Sequence, residues 1–188
     1  MIRSGPPGAS GGPPWPPAPS PSRPCTTRSP FSWPAYATGP PPDLRLTAVD
    51  ARSGDLATFD SASGVALPDA VAASCAVPVV WPPVSVAGGR WMDGGSRSTA
   101  NVHLARGARR VVAITPIPEA VGPHPSATSQ GAELAADGAL VAVLTPDRAA
   151  RRAFGRNMLD QTRRTAAARA GRAQAASCAE TVRAVWTP

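Results

Sequence analysis

The chain has 188 residues, 24 prolines, 17 glycines and a formal net charge of +7, and every basic residue is an arginine. This length allows one domain with a sizeable core. The sequence shows no apolar run long enough to cross a membrane, no secretory signal and no metal-ligand spacing, so it predicts no transmembrane segment, no metal site and no cofactor. Its three cysteines, an odd number, favour reduced thiols in a cytoplasmic setting.

The first 42 residues differ in composition from the rest of the chain. Residues 1–42 hold 14 of the 24 prolines and no acidic residue. Such a stretch cannot bury enough apolar surface to offset the entropy lost on ordering it. We therefore predict a disordered Pro-rich leader over residues 1–42 and a folded portion over residues 43–188.

The first predicted elements are two β-hairpins with a helix between them. The segments "LRLTAVD" and "DLATFD" alternate in polarity and are joined across Ser53-Gly54, which is typical of a hairpin. The next segment, "LPDAVAASCAV", predicts a helix in which Cys75 is a small buried residue. The second hairpin joins "VSV" to "RWMD", with Gly88-Gly89 as its tight turn.

The remainder of the chain alternates short helices with apolar strands. In chain order it contains a short helix near "NVHLARG", a strand "ARRVVAIT", a helix "GAELAADGA" and a strand "LVAVLTP". This order is typical of an α/β fold with a parallel sheet. A long Ala/Arg helix follows, roughly from Asp160 to Trp186.

Asp93 is the carboxylate in the most informative position. It ends the strand "RWMD" and is followed by Gly94 and Gly95. A carboxylate at a strand end, with glycines beside it, leaves room for a substrate atom. Asp-Gly is equally a turn signal, and spacing alone favours a surface turn over a catalytic base. We predict that Ser96 and Ser98, which follow closely, are turn residues.

The wider stretch around Asp93 resembles the patatin-like phospholipase family. The matching motifs are the helix "AVAASCAVP", the segment "WPPV", the strand ending in Asp-Gly-Gly, and an asparagine and short helix before "RRVVAIT". The hairpin "LRLTAVDARSGDLATFD" also fits, so the likeness spans about residues 43–188. It implies an α/β fold: a partial patatin-like layered sheet with flanking helices, lacking its first strands.

The resemblance also implies a chemistry. Members of this family are serine acyl hydrolases that act on lipid or small ester substrates with a Ser–Asp dyad and no cofactor. Asp93 falls on the general base of the dyad, and Gly94 and Gly95 complete the motif. The dyad needs no histidine, and we predict that His103 and His124 are surface residues.

The nucleophile of the family lies in a Gly-x-Ser-x-Gly elbow between a strand and a helix. One literal match, Gly8–Gly12, places Ser10 at the nucleophile position. Prolines on both sides of Ser10 prevent a strand and a helix from forming there. We therefore interpret Ser10 as a chance match, and the chain has no credible nucleophile elbow.

Three functions remain open at this point. The chain is a patatin-like hydrolase that is active only when a serine-bearing half is supplied, or it is an inactive truncated remnant or binding module. A third reading is an arginine-rich surface binder acting through residues 148–188, but these residues lack lysine and interleaved aromatics, so no nucleic-acid partner is expected. An incomplete sheet exposes an edge, which predicts pairing with a partner or poor solubility.

Overall fold

The computed structural model describes residues 39–121 and 124–187, and in these ranges the chain is a mixed α/β protein, as predicted. The leader predicted for residues 1–42 lies outside the described residues except at its last four positions. The strands are β1 Leu46–Asp50, β2 Leu56–Phe59, β3 Val84–Val86, β4 Gly89–Asp93, β5 Arg110–Ile114 and β6 Leu140–Leu144. The α-helices are α1 Leu67–Ser74, α2 Ala127–Ala136, α3 Arg148–Phe154 and α4 Arg164–Trp186. Short 3₁₀ helices cover Gly94–Ser96, Val102–Ala105 and Gln161–Arg163.

The first four strands form one antiparallel sheet in the order β2-β1-β4-β3. The predicted hairpin of β1 and β2 is confirmed, with Leu46 opposite Phe59 and Val49 opposite Leu56. Asp50 closes its turn by accepting hydrogen bonds from the backbone N–H groups of Arg52 at 2.7 Å and Ser53 at 3.0 Å. These two bonds favour the charged carboxylate and lower the pKa of Asp50.

The second hairpin turns one residue earlier than predicted. Its two turn residues are Ala87 and Gly88, with φ values of 51° and 74°, as a type I′ turn requires. Gly89, predicted to be in the turn, is the first residue of β4. A Cβ at Gly89 would lie 2.6 Å from the indole ring of Trp91, so glycine is needed there because the ring lies across the strand.

The core of this sheet is covered by α1. Its buried members include Ala48, Phe59 and Ala70, and the rings of Phe59 and Trp91 meet edge to face at 5.2 Å. The helix ends at Ser74, three residues before the predicted end. The chain after it is fixed to β4, because the backbone N–H of Asp93 donates to the carbonyl oxygen of Ala76 at 3.0 Å.

The remaining strands, β5 and β6, form a separate parallel pair with Arg110 opposite Leu140. The parallel pairing is as predicted, and a second core of Val102, Val111, Ala127 and Leu134 lies on this pair. Helix α2 begins four residues before the predicted segment, because Ser126 caps it by accepting a hydrogen bond from Ser129 N–H. Helix α3 is an element that the sequence analysis missed. No helix in the described ranges is long and apolar enough to span a membrane.

One edge of β5 carries no strand within the described residues. Leu140 N–H donates to the Arg109 carbonyl, and Thr115 N–H donates to the Leu144 carbonyl, each at 3.0 Å. In a parallel pair, every second residue of a strand directs its backbone N–H and C=O groups to the partner strand. Since Arg109 and Thr115 bond to β6, the backbone groups of Val112 and Ile114 point away from it. The β5 edge is therefore open to a further strand.

Candidate active site

The structure holds Asp93 in a defined orientation at the end of β4. Its Oδ1 accepts a hydrogen bond of 2.6 Å from the backbone N–H of Gly95. This bond caps the 3₁₀ helix Gly94–Ser96, and the residue is half-buried. One carboxylate oxygen is thus fixed by the backbone of the turn that follows it.

Gly94 allows the backbone after Asp93 to approach β1 closely. It is buried, and a Cβ at this position would collide with Thr47, lying 2.6 Å from its carbonyl oxygen and 2.7 Å from its Cβ. Any side chain would push the Asp-Gly-Gly turn away from the sheet. Thr47 is a site residue that the sequence analysis missed, since nothing in the sequence pairs it with Gly94.

Asn101 supports the same turn from the other side. Its Nδ2 donates to the carbonyl oxygen of Gly94 at 3.2 Å and to Thr47 Oγ1 at 3.4 Å. Its backbone is left-handed, with a φ of 48°, a conformation that asparagine adopts more readily than most residues. Its Oδ1 is buried without a hydrogen-bond partner among the described residues. Asn101 was noted only as part of the family pattern, and the structure makes it a supporting residue of the Asp93 turn.

A cleft of about 980 Å³ opens in front of Asp93. Asp93, Gly95 and Asn101 line one part of it, and β5 lines another from Val111 to Ile114. The volume lies at the upper end of the range for small-molecule sites. The cleft therefore has room for a small-molecule ligand.

The hydroxyl groups near Asp93 do not form a catalytic pair with it. Ser98 is buried and its Oγ accepts from Gln130 Nε2 at 2.9 Å and from Asn101 N–H at 3.2 Å, so it is a structural residue. Ser96 is exposed at the end of the 3₁₀ turn. Ser74 lines the cleft, but no hydrogen bond joins it to Asp93. Ser10 lies outside the described residues.

Two residues that the sequence analysis set aside have surroundings different from those predicted. Cys75 is exposed, because α1 ends before it and it forms the C-cap. His103 is half-buried rather than on the surface, with its backbone N–H donating to Gln130 Oε1 at 3.0 Å and its Nδ1 lying 3.2 Å from the same oxygen. Residues 39–121 and 124–187 contain no cluster of three or more His, Cys, Asp or Glu that could hold a metal ion.

The pKa of the Cys75 thiol depends on the charge of Asp93. Partial desolvation raises the pKa of the thiol, and the negative charge of Asp93 raises it further. We expect iodoacetamide to alkylate Cys75 more slowly in the folded chain than in urea, because less thiolate is present at a given pH. The measurement is the pH dependence of the alkylation rate, followed by peptide mass mapping.

Asp93→Asn should move the Cys75 rate profile to lower pH, since it removes a nearby negative charge. Cys178 lies on α4 and serves as the internal control in the same sample. An unchanged Cys75 profile in the Asp93→Asn variant would contradict the proximity of the two groups.

Comparison with known proteins bears on the identity of the region around Asp93. Residues 21–106 match the family model described as patatin-like phospholipase. The match contains Asp93, Gly94 and Gly95, and it ends at the first 3₁₀ turn after Asn101. No curated protein matches the sequence significantly.

Proposed function

We propose that this chain, which belongs to the patatin-like phospholipase family through residues 21–106, is the base-bearing part of a lipid acyl hydrolase. Asp93 is the general base of a Ser–Asp dyad, and the serine comes from a segment outside the described residues. The observation that carries the proposal is the fixed carboxylate of Asp93 at the mouth of a large cleft.

The orientation of Asp93 suits this role. Gly95 N–H holds Oδ1, which leaves Oδ2 to accept the proton of a serine hydroxyl as its oxygen attacks an ester carbonyl. The protonated carboxyl group gives this proton to the leaving alcohol oxygen as the ester bond breaks. The regenerated carboxylate then takes a proton from the water that attacks the acyl-serine, and it returns that proton to the serine oxygen as the acid is released. Asn101 and Gly94 keep the turn in place and act as positioning residues.

The open edge of β5 is where we place the serine-bearing segment. Val112 and Ile114 line the cleft with their outward backbone groups unused by β6. A parallel strand added there would end at the same edge as β5, and an elbow following it would bring a serine into the cleft with Asp93. In its absence the exposed edge predicts aggregation of the isolated chain, and a monodisperse, cooperatively melting monomer would count against this part of the proposal.

The alternative function is an inactive remnant or a binding module. It is supported by the described hydroxyl groups, none of which donates to Asp93. The two proposals differ in what happens when a serine-bearing segment is added. The hydrolase gains activity, whereas the remnant stays inert in the assembled complex.

The test is fluorophosphonate labelling read by intact mass and peptide mapping. The chain alone is expected to show no adduct. Co-expression with a strand–elbow–helix segment of a patatin-like enzyme is expected to give a complex that is labelled at the elbow serine and hydrolyses p-nitrophenyl esters. Labelling of Ser10 or Ser74 in the chain alone would place the nucleophile within this chain. A purified complex without labelling would favour the inactive alternative.

A further inference from the structure

We infer that the cavity between α4 and the carboxyl ends of β5 and β6 is a binding site for a single-chain fatty carboxylate. This site does not rest on the proposed hydrolase function, because Asp93 does not line it; Ile114, at the open edge of β5, lines both this cavity and the cleft in front of Asp93. Ligand sites in sheets with parallel strands lie outside the carboxyl ends of those strands. The cavity occupies that position and has a volume of about 310 Å³.

The wall of the cavity is apolar. Ile114, Leu144, Ala150, Phe154, Gly171 and Cys178 contribute to it. The largest exposed wall residue is Ile114, with 79% of its surface exposed. A volume of about 310 Å³ is at the lower end for small-molecule sites, which suits one acyl chain of medium length rather than a two-chain lipid.

Gly171 leaves space in which the acyl chain of the ligand would lie. It is the glycine of α4, a helix in which most other small residues are alanine. A Cβ at Gly171 would meet no atom within 4 Å, so close packing does not require glycine. Glycine within a helix destabilises it by comparison with alanine, and its effect here is to widen the cavity.

The positive charge of the arginines beside the cavity favours an anionic ligand. A second cavity shares Pro116 and Phe154 with the first and is lined by Arg163 and Arg164. Arg163 is paired with Asp160, with its Nε 3.6 Å from Oδ2. Arg164 has no ion pair within the described residues and can donate hydrogen bonds to the carboxylate of a fatty acid whose tail lies in the apolar cavity.

The experiment measures dodecanoate binding to the full chain by calorimetry, below the micelle concentration. Dodecanol and dodecyltrimethylammonium are the neutral and cationic probes. We expect dodecanoate to bind most tightly, dodecanol less tightly and dodecyltrimethylammonium least tightly. We also expect a roughly fourfold gain in affinity for each methylene added between octanoate and dodecanoate. Equal affinity for all three probes would overturn the assignment of the anion.

Two pairs of variants locate the site. Gly171→Phe fills the cavity and should weaken dodecanoate binding at least tenfold, whereas Ala173→Phe adds the same ring at an exposed position of α4 that does not line the cavity. Arg164→Gln should weaken dodecanoate binding and leave dodecanol binding unchanged, and Arg183→Gln is its charge-matched control on the same helix. Unchanged binding in Gly171→Phe would refute the site.

A further readout is independent of affinity. Cys178 lines the cavity and Cys75 does not. Saturating dodecanoate should slow the alkylation of Cys178 and leave the rate at Cys75 unchanged. Equal rates at Cys178 with and without dodecanoate would contradict the proposal.

Discussion

Asp93→Asn is expected to lower ester hydrolysis by the complex with the serine-bearing segment at least ~10⁴-fold, because the proposed dyad has no second base. Asparagine keeps the shape of the side chain, and its carbonyl oxygen can still accept the hydrogen bond that Gly95 N–H makes to Oδ1. The variant should therefore fold and assemble normally. Its melting temperature should stay within about 2 °C of the parent, equivalent to a change below roughly 1 kcal/mol.

The measurement compares hydrolysis and fluorophosphonate labelling in parent and variant complexes of equal concentration. Asn101→Asp is an informative companion, since it alters the support of the turn but leaves the carboxylate of Asp93 in place. We expect it to retain part of the activity. Hydrolysis that persists in Asp93→Asn would remove Asp93 from the mechanism.

Gly94→Ala is expected to destabilise the fold by about 3 kcal/mol, at the upper end of the range for an overpacked core. The added methyl group would meet the carbonyl oxygen of Thr47 at 2.6 Å and its Cβ at 2.7 Å. Main-chain atoms of a central strand cannot move away as the end of a flexible side chain can. For a chain of this size the melting temperature should fall by roughly 6–12 °C, which thermal unfolding of the complex with the serine-bearing segment, followed by circular dichroism, would measure.

Gly171→Ala is the matched control, because its added methyl group meets open space in a helix. That control should be neutral or stabilise the chain by up to about 1 kcal/mol. The double variant Thr47→Ala with Gly94→Ala should recover only part of the loss, since the Thr47 carbonyl and Cβ remain in place. Full recovery in the double variant would show that Oγ1 of Thr47, rather than the backbone, limits the space.

The part of the fold that the sequence predicts is the part fixed by local pattern. Alternation of polarity and turn residues were enough for the β1–β2 hairpin, whereas Asp93 was singled out by the family resemblance of the wider stretch and not by the Asp-Gly-Gly spacing alone. The turn at Ala87-Gly88 was misplaced by one residue, because the deciding contact is the indole of Trp91 lying over Gly89. That contact depends on how the Trp91 side chain packs, and the spacing of residues along the sequence does not indicate it.

The supports of the site could not be predicted for a similar reason. Thr47 and Asn101 are separated by 54 positions and meet only because β1 pairs with β4. A local signal was available for α3, whose first residue follows Asp147, and the side chain of Asp147 caps the helix by accepting from Ala150 N–H at 2.7 Å. Its seven-residue length and many arginines gave no apolar stripe to detect.

The buried amide of Gln130 sets a dimension of the cleft that it does not line. From α2 it donates to Ser98 Oγ at 2.9 Å and to the Pro125 carbonyl at 2.7 Å, and its Oε1 accepts from His103 N–H. Ser98 in turn accepts from Asn101 N–H, which links α2 to the turn that holds Asp93. The Asp93 turn and α2 are thus joined through the Gln130 side chain, and a change at Gln130 is expected to alter the width of the cleft without changing any residue that lines it.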